Sequence, residues 1–325
     1  MATITTAENW FERRPWIDEP NASIDDYIRS APSLPTDYQL DEQLEHWREH
    51  GIVIFEKAVD EQVIDSLLED VECLVTHPTE YEVTVDPGGG NHIPIKQLST
   101  EELLQRGNLK VNNLHHISKA AVRCALNKYA TSFLSHVFQD TPCVQQSLFF
   151  IKGSQQPIHL DYPYVRVQQH IANVVASWVA LEDVHEDSGP LAYYCGSHMP
   201  EKMPFFDWGN GSITLEEDSA HQPHEFVTYL ENEMERLHIQ PRVFLPRKGD
   251  MLIWHGYLAH GGTKIRDQAR TRKSLVTHYT SKGSYNPGHR FADADEKGRF
   301  YEENGGLAYD LPWTVGWKML PSWRD

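Results

Sequence analysis

The sequence predicts a single mainly β domain with flanking α-helices, built as a double-stranded β-helix, or jelly roll. Three observations predict it. From Cys143 onward, short apolar segments alternate with turn signals, at 145–151, around His159, and at 173–181, 191–195, 242–245, 250–254 and 273–280. Before Cys143 the apolar residues recur at helical spacing instead. No Gly-, Pro- or Ser-rich linker splits the β portion, so the 325 residues read as one unit. Its parts are an N-terminal arm (1–38), a helical flank with a long loop (39–142), the jelly-roll core with a lid (143–280, lid 199–241) and a C-terminal wrap (281–325).

Each part follows from local pattern. The arm is rich in Pro, Asp and Trp, sustains no period and reads as extended and packed through aromatics such as Trp10 and Trp16, or as partly disordered. Asp41 precedes Leu44 and Trp47 at helical spacing, and Gly51 ends that helix. Ile52, Val53, Ile54 and Phe55 form a short strand. Asp60 opens a second helix whose stripe is Val63, Ile64, Leu67, Leu68, Val71, Leu74 and Val75. Residues 76–117 read as loop. A third helix is expected from Ser118 toward Asp140, burying Val122, Leu126, Phe133, Leu134 and Val137. The lid carries an amphipathic helix around 226–237; excursions this long in a compact domain are usually lids or binding loops. The tail holds Trp313, Trp317 and Trp323 and must fold back, because a free tail would leave too much apolar surface in water.

Composition excludes several classes. A formal net charge of −18 repels phosphate backbones and argues against nucleic acid, and more mildly against a coenzyme A thioester. Mean hydropathy is −0.54, and no apolar run approaches the ~20 residues of a membrane span. The N-terminus shows no basic region followed by an apolar one, and the last residues match no lipid or organelle tag. Cys73, Cys124, Cys143 and Cys195 lie far apart without a Cys-x-x-Cys pair, which suits reduced thiols in a cytoplasmic protein. The sequence leaves the oligomeric state open.

The chemistry gathers at Gln156-Pro157-Ile158-His159-Leu160-Asp161-Tyr162. In extended chain, residues i and i+2 share a face, so an imidazole and a carboxylate converge there. A second His, placed at His260, completes a two-His, one-carboxylate face of the kind that holds non-haem iron with open positions. One His-x-Asp is expected roughly by chance in this composition, so the motif needs context. His185-Glu186-Asp187 is a decoy in an acidic run before Ser188-Gly189-Pro190, which reads as an exposed turn.

The context is an ordered set of segments. It comprises His50-Gly51-Ile52-Val53-Ile54, Gln146-Ser147, His159-Leu160-Asp161, Trp178-Val179-Ala180-Leu181-Glu182-Asp183, Ser188-Gly189-Pro190-Leu191 leading to Gly196-Ser197-His198, Lys248-Gly249-Asp250, His260 and Arg272. In this order the chain resembles the phytanoyl-CoA hydroxylase-like family of Fe(II)/2-oxoglutarate dioxygenases, over residues 40–280. The resemblance implies a cupin-like jelly roll, Fe(II) as metal, 2-oxoglutarate and O2 as co-substrates, and hydroxylation of a small-molecule metabolite. Desaturation, epimerisation or ring formation would use the same iron. So would a non-catalytic jelly-roll binding protein keep the scaffold without the chemistry.

Residue by residue, the resemblance makes His159, Asp161 and His260 the iron ligands. His260 is preferred to His255 because Gly261-Gly262-Thr263 follows it. A carboxylate at 161 points away from halogenation, where a small residue takes that place. Arg272 is the candidate for the distal carboxylate of 2-oxoglutarate, which a planar guanidinium holds in two-pronged fashion; Arg266 and Arg270 compete with it. Gln146 matches a position that touches the 2-oxo acid in some relatives, such as ectoine hydroxylase. Tyr162, Tyr164 and Arg166 follow the iron motif and are candidates for the pocket mouth. His92 and Lys96 lie on the loop where relatives hold substrate. Trp178 reads as sheet core.

Overall fold

The helices form where apolar positions recur every three to four residues, and in several of them a polar side chain closes the first turn. The computed structural model describes residues 6–32, 37–88, 90–165, 167, 170–285, 299–310 and 316–323. The arm is not simply extended: it holds α1 (Ala7–Glu12), capped by Thr6, and α2 (Ile24–Ser30), capped by Ser23. The arm's lack of a sustained period hid them, since each is too short to show one. α3 (Leu40–His50) ends at Gly51 with φ +72°, a left-handed position that favours glycine. β1 (Ile52–Phe55) follows, then α4 (Glu61–Thr76), which buries Ile64, Leu67, Val71 and Leu74.

The segment expected to be loop, 76–117, is instead threaded by β2 (Thr84–Asp86), β3 (Ile93–Pro94), α5 (Thr100–Gln105) and β4 (Lys110–Asn112). Strands of two or three residues are too short for alternation to register in sequence; they exist because β4 pairs with the long strand that follows. The single helix expected over 118–140 is two, α6 (Lys119–Ala125) and α7 (Lys128–Phe138). Asn127 causes the break: its backbone is extended, and its side chain accepts hydrogen bonds from the N–H groups of Tyr129 and Ala130.

The β portion comprises β5 (Pro142–Phe150), β6 (Val175–Ala180), β7 (Leu191–Tyr193), β8 (Arg242–Val243), β9 (Met251–His255), β10 (His260–Gly262) and β11 (Ser274–Ser281), with α8 (Pro223–Arg236) in the 199–241 excursion. β12 (Arg299–Glu303) and β13 (Gly306–Asp310) come from the tail. The large sheet runs β1-β9-β6-β11-β5-β4-β2-β3, and β13 adds to β5 in parallel; the small sheet is β10-β7-β8. Together they make a jelly roll with the helices outside. No strand forms around His159. Only a bridge to His260 forms there, with Pro157 and Pro163, which lack an N–H, on either side.

Register separates the two faces of the large sheet. Val53, Phe149, Val179, Ile253, Leu275 and Tyr279 face outward onto α3, α4, α6 and α7, in the largest apolar cluster. Each such fully buried aliphatic side chain contributes roughly 1.5–3 kcal/mol. Ile52, Phe150, Ala176, Trp178, Leu252, Trp254 and Val276 face inward and meet Leu191 and Tyr193 of the small sheet and Phe244 just after it. A separate aromatic cluster joins the arm to the 199–241 excursion through Trp10, Tyr162, Trp208, Phe226 and Tyr257. The tail closes over the helices: the Leu320 N–H donates to the Ile117 carbonyl, and the Ser322 N–H donates to Asp70 at 2.9 Å. Trp323 packs on Tyr301, while Trp313 lies outside the described residues. All four cysteines are free thiols. Among the described residues, no helix is long and apolar enough to cross a membrane.

Candidate metal centre

The bridge between residues 159 and 260 sets the centre. Each N–H donates to the other's carbonyl, at 2.8 and 3.0 Å, which clamps the two side chains together. Their ring centroids lie 4.2 Å apart. The Nε2 atoms of His159 and His260 stand 4.0 and 3.6 Å from Oδ1 of Asp161. One ligand atom from each of the three lies within 4.8 Å of the others.

The tautomers are fixed by backbone. Nδ1 of His159 donates to the Pro157 carbonyl at 2.8 Å, and Nδ1 of His260 donates to the Leu258 carbonyl at 2.9 Å. A carbonyl oxygen can only accept, so both protons sit on Nδ1. Burial, and then the neighbouring His260, pushes His159 down to about 3, so the ring is neutral. Its Nε2 therefore carries a bare lone pair aimed at a carboxylate oxygen. Burial alone would raise the Asp161 carboxyl; His260 and then His278 outweigh it and hold the group well below the usual carboxylate range. Lone pairs facing an anionic oxygen repel one another unless a cation sits between them. The donor set, two imidazoles with their Nε2 atoms turned toward one carboxylate, therefore suits a divalent metal such as iron.

Two residues that sequence reasoning missed hold Asp161. The Trp254 indole donates to Oδ2 at 2.8 Å, and Nε2 of His278 lies 3.3 Å from Oδ1. Period two along β11, carried back two residues before its start, links His278 to Arg272: residues 272, 274, 276 and 278 fall at alternate positions, and that spacing was the available signal. The Arg272 guanidinium is buried at 2 % exposure between the rings of Phe150 and Trp178, 5.5 and 5.3 Å from their centroids. Trp178 is thus part of this wall as well as of the core. Arg272 Nη1 donates to the Gly189 carbonyl at 3.3 Å, and its buried Nε has no partner. Burial pushes the group down to about 10, opposed only by Glu182, and it remains a cation at neutral pH. Ser274 Oγ, two residues on, is also buried without a partner. A buried cation and hydroxyl left unsatisfied on one face suit an incoming carboxylate.

The remaining sequence candidates fall in different places. Gln146 stands across from His278 in the β5–β11 register. Tyr162 is buried in the aromatic cluster between the arm and the 199–241 excursion, stacked on Tyr257 at 5.1 Å, and its hydroxyl has no partner. Tyr164 is 39 % exposed, edge-on to Trp208; burial and then the Asp161 charge raise its hydroxyl to about 12. Arg166 lies outside the described residues. His92 accepts from Asn112 Nδ2 at 3.3 Å if its proton is on Nε2. Lys96 pairs with Glu82 on the surface. Lys110, which sequence reasoning passed over, pairs with buried Asp86 at 3.6 Å, and its charge is felt at His159. The rivals are occupied elsewhere. His255 faces Asp18 at 3.2 Å and accepts the Tyr257 N–H; His185 and Asp187 form an exposed turn; Arg266 and Arg270 pair with Asp187 and Asp267.

A family model described as phytanoyl-CoA dioxygenase (PhyH) matches residues 47–274. Among solved structures, the chain is similar to the non-haem α-ketoglutarate-dependent epimerase SnoN from nogalamycin biosynthesis, with a TM-score of 0.56, 16% identity, and 83% of this chain and 97% of that one covered. It is similar to the carbocyclase SnoK of the same biosynthesis, with a TM-score of 0.54, 14% identity, and coverage of 85% and 100%. It is also similar to EctD from S. alaskensis, solved with 2-oxoglutarate and 5-hydroxyectoine, with a TM-score of 0.54, 14% identity, and 84% of each chain covered. At these identities the likeness concerns the fold. No curated protein matches the chain by sequence.

Proposed function

The chain belongs to the phytanoyl-CoA dioxygenase (PhyH) family, and from that premise we propose that it is an Fe(II)- and 2-oxoglutarate-dependent dioxygenase that hydroxylates an unactivated C–H bond of a small-molecule metabolite. The observation that carries this reading is the pair of Nδ1-protonated imidazoles, His159 and His260, facing Oδ1 of Asp161. These three residues would hold Fe(II). Bound there, Fe(II) would let O2 act as the oxidant: one oxygen atom would go into succinate as 2-oxoglutarate loses CO2, and the other into the substrate's C–H bond.

The protein's own part is binding, orientation and exclusion of water. Arg272 would take the distal carboxylate of 2-oxoglutarate, with Ser274 Oγ as a second donor. Phe150 and Trp178 flank the guanidinium and shield it from water. Leu148, Val276 and Leu252 line the inner face with apolar carbon, where a reactive centre is shielded from solvent. The carboxylate at 161 fills a metal position, which favours hydroxylation over halogen transfer. The epimerase and carbocyclase among the similar folds keep epimerisation and cyclisation as alternatives on the same centre.

Anaerobic addition of Fe(II) and 2-oxoglutarate is expected to produce a weak visible charge-transfer band. Adding O2 should then give succinate. His159→Ala and Asp161→Ala should abolish both signals. A folded wild-type protein that gives no band would point instead to a non-catalytic jelly roll.

A further inference from the structure

Resting on the reading that residues 159, 161 and 260 hold a metal, we propose that His278 is a positioning residue, whose Nε2–H fixes the Asp161 carboxylate so that one lone pair of Oδ1 is left for the metal. His278 is the third residue of an inward-facing row, Ser274, Val276 and His278, and is 4 % exposed. Its Nε2 lies 3.3 Å from Asp161 Oδ1. A carboxylate oxygen accepts, so the proton is on Nε2. Nδ1 is buried and without a partner. His278 therefore holds its place at a cost, because a buried unpaired acceptor destabilises the fold. An apolar side chain would suit its cross-strand neighbour Ala176 and the adjacent Val276 better.

The carboxylate is gripped at both ends. Trp254 occupies Oδ2 at 2.8 Å and His278 occupies one side of Oδ1. What remains is the side of Oδ1 that faces His159 and His260, so binding through both oxygens is disfavoured. His278 is not a fourth ligand: the set whose donor atoms lie mutually within 4.8 Å is His159, Asp161 and His260. The backbone is adjusted at this point. The β5–β11 register shifts between His278 and Tyr279, so that His278 opposes Gln146 while Tyr279 opposes Val144. Such bulges re-aim side chains beside functional sites. Here the shift falls between the inward His278 and Tyr279, whose hydroxyl donates to the Ala125 carbonyl on the helical side.

The test is anaerobic titration of the protein with Co(II), read by its absorption spectrum, together with thermal melting of the metal-free protein. His278→Phe is expected to weaken Co(II) binding by roughly 10–100-fold and to alter the spectrum, the range typical of a lost partner behind a metal ligand. The metal-free variant should melt no lower than the wild type. His278→Gln, whose amide N–H can still donate, should recover most of the affinity; it carries the test if the Phe variant fails to fold. Wild-type affinity and spectrum in His278→Phe, with binding lost in His159→Ala, would overturn the role of His278 and leave the metal site standing. Equal loss of affinity in the Phe and Gln variants would also overturn it, since the donated hydrogen would then not be what matters. A wild-type protein that binds no Co(II) would overturn both readings.

Discussion

The indole N–H of Trp254 reaches Oδ2 of Asp161 at 2.8 Å, joining residues 93 positions apart in sequence. Trp254 sits on β9 beside β6, so its ring is held by the sheet and not by the loop that carries Asp161. A hydrogen bond to a charged group contributes about 1.5–3 kcal/mol. Trp254→Phe keeps most of the ring volume and removes the donor. It should weaken Fe(II) binding roughly tenfold or more, measured by anaerobic titration, while leaving the 2-oxoglutarate requirement nearly unchanged once metal is saturating.

Arg272 predicts an asymmetry between stability and binding. Its guanidinium is buried and donates to the Gly189 carbonyl instead of to a carboxylate. Replacing such a group by an apolar one of similar length removes a desolvation cost. Arg272→Met should therefore melt at or above the wild type without co-substrate, yet raise the 2-oxoglutarate KM by about 100-fold or more. Arg272→Lys should not rescue, because an ammonium cannot make the two-pronged contact. A parallel fall in stability and co-substrate affinity would remove Arg272 from this role.

The pH dependence of folding has a named source away from the metal. Burial, and then the neighbouring His255, pushes His198 down to about 3 from the ordinary 6.5. The folded chain keeps the ring neutral where the unfolded chain takes up a proton. The contribution is complete above pH 6.5 and is lost as the pH falls below it, levelling off near pH 3. His198→Gln should shrink the loss of stability between pH 7 and pH 5 by about 2 kcal/mol, read from urea midpoints at the two pH values. An unchanged difference would refute the assignment.

Gly51 and His198 make a tight fit. A Cβ added at residue 51 would stand 2.5 Å from the His198 ring, and φ there is +72°. Gly51→Ala should cost about 2–4 kcal/mol, from overpacking plus backbone strain, and lower the melting temperature by several degrees.

The long signals in the sequence and the short ones fared differently. α4 and β9 follow patterns of several residues, and the structure forms them within one or two positions of expectation. β2, β3 and β4 were invisible because two or three residues cannot display alternation; β4 is made by pairing with β5, β2 by pairing with β4, and β3 by pairing with β2. Around His159 the reverse occurred. The extended stretch reads as a strand, yet its prolines limit it to one bridge. The motif carried the ligand candidates, but the residues that orient them, Trp254 and His278, look like ordinary strand residues until register puts them beside Asp161.

β1 lies at residues 52–55, and its partner β9 at 251–255. Almost 200 residues separate the two, and β11, which carries His278 and follows directly on Arg272, comes later still. Pairings between such remote segments form slowly, because a large loop must close before any contact rewards it. During synthesis the outer helices can therefore collapse early, while the sheet between them stays unzipped until the ribosome has delivered the last third of the chain. Until then β1 presents a bare edge, and the growing protein is most exposed to aggregation and most dependent on chaperones.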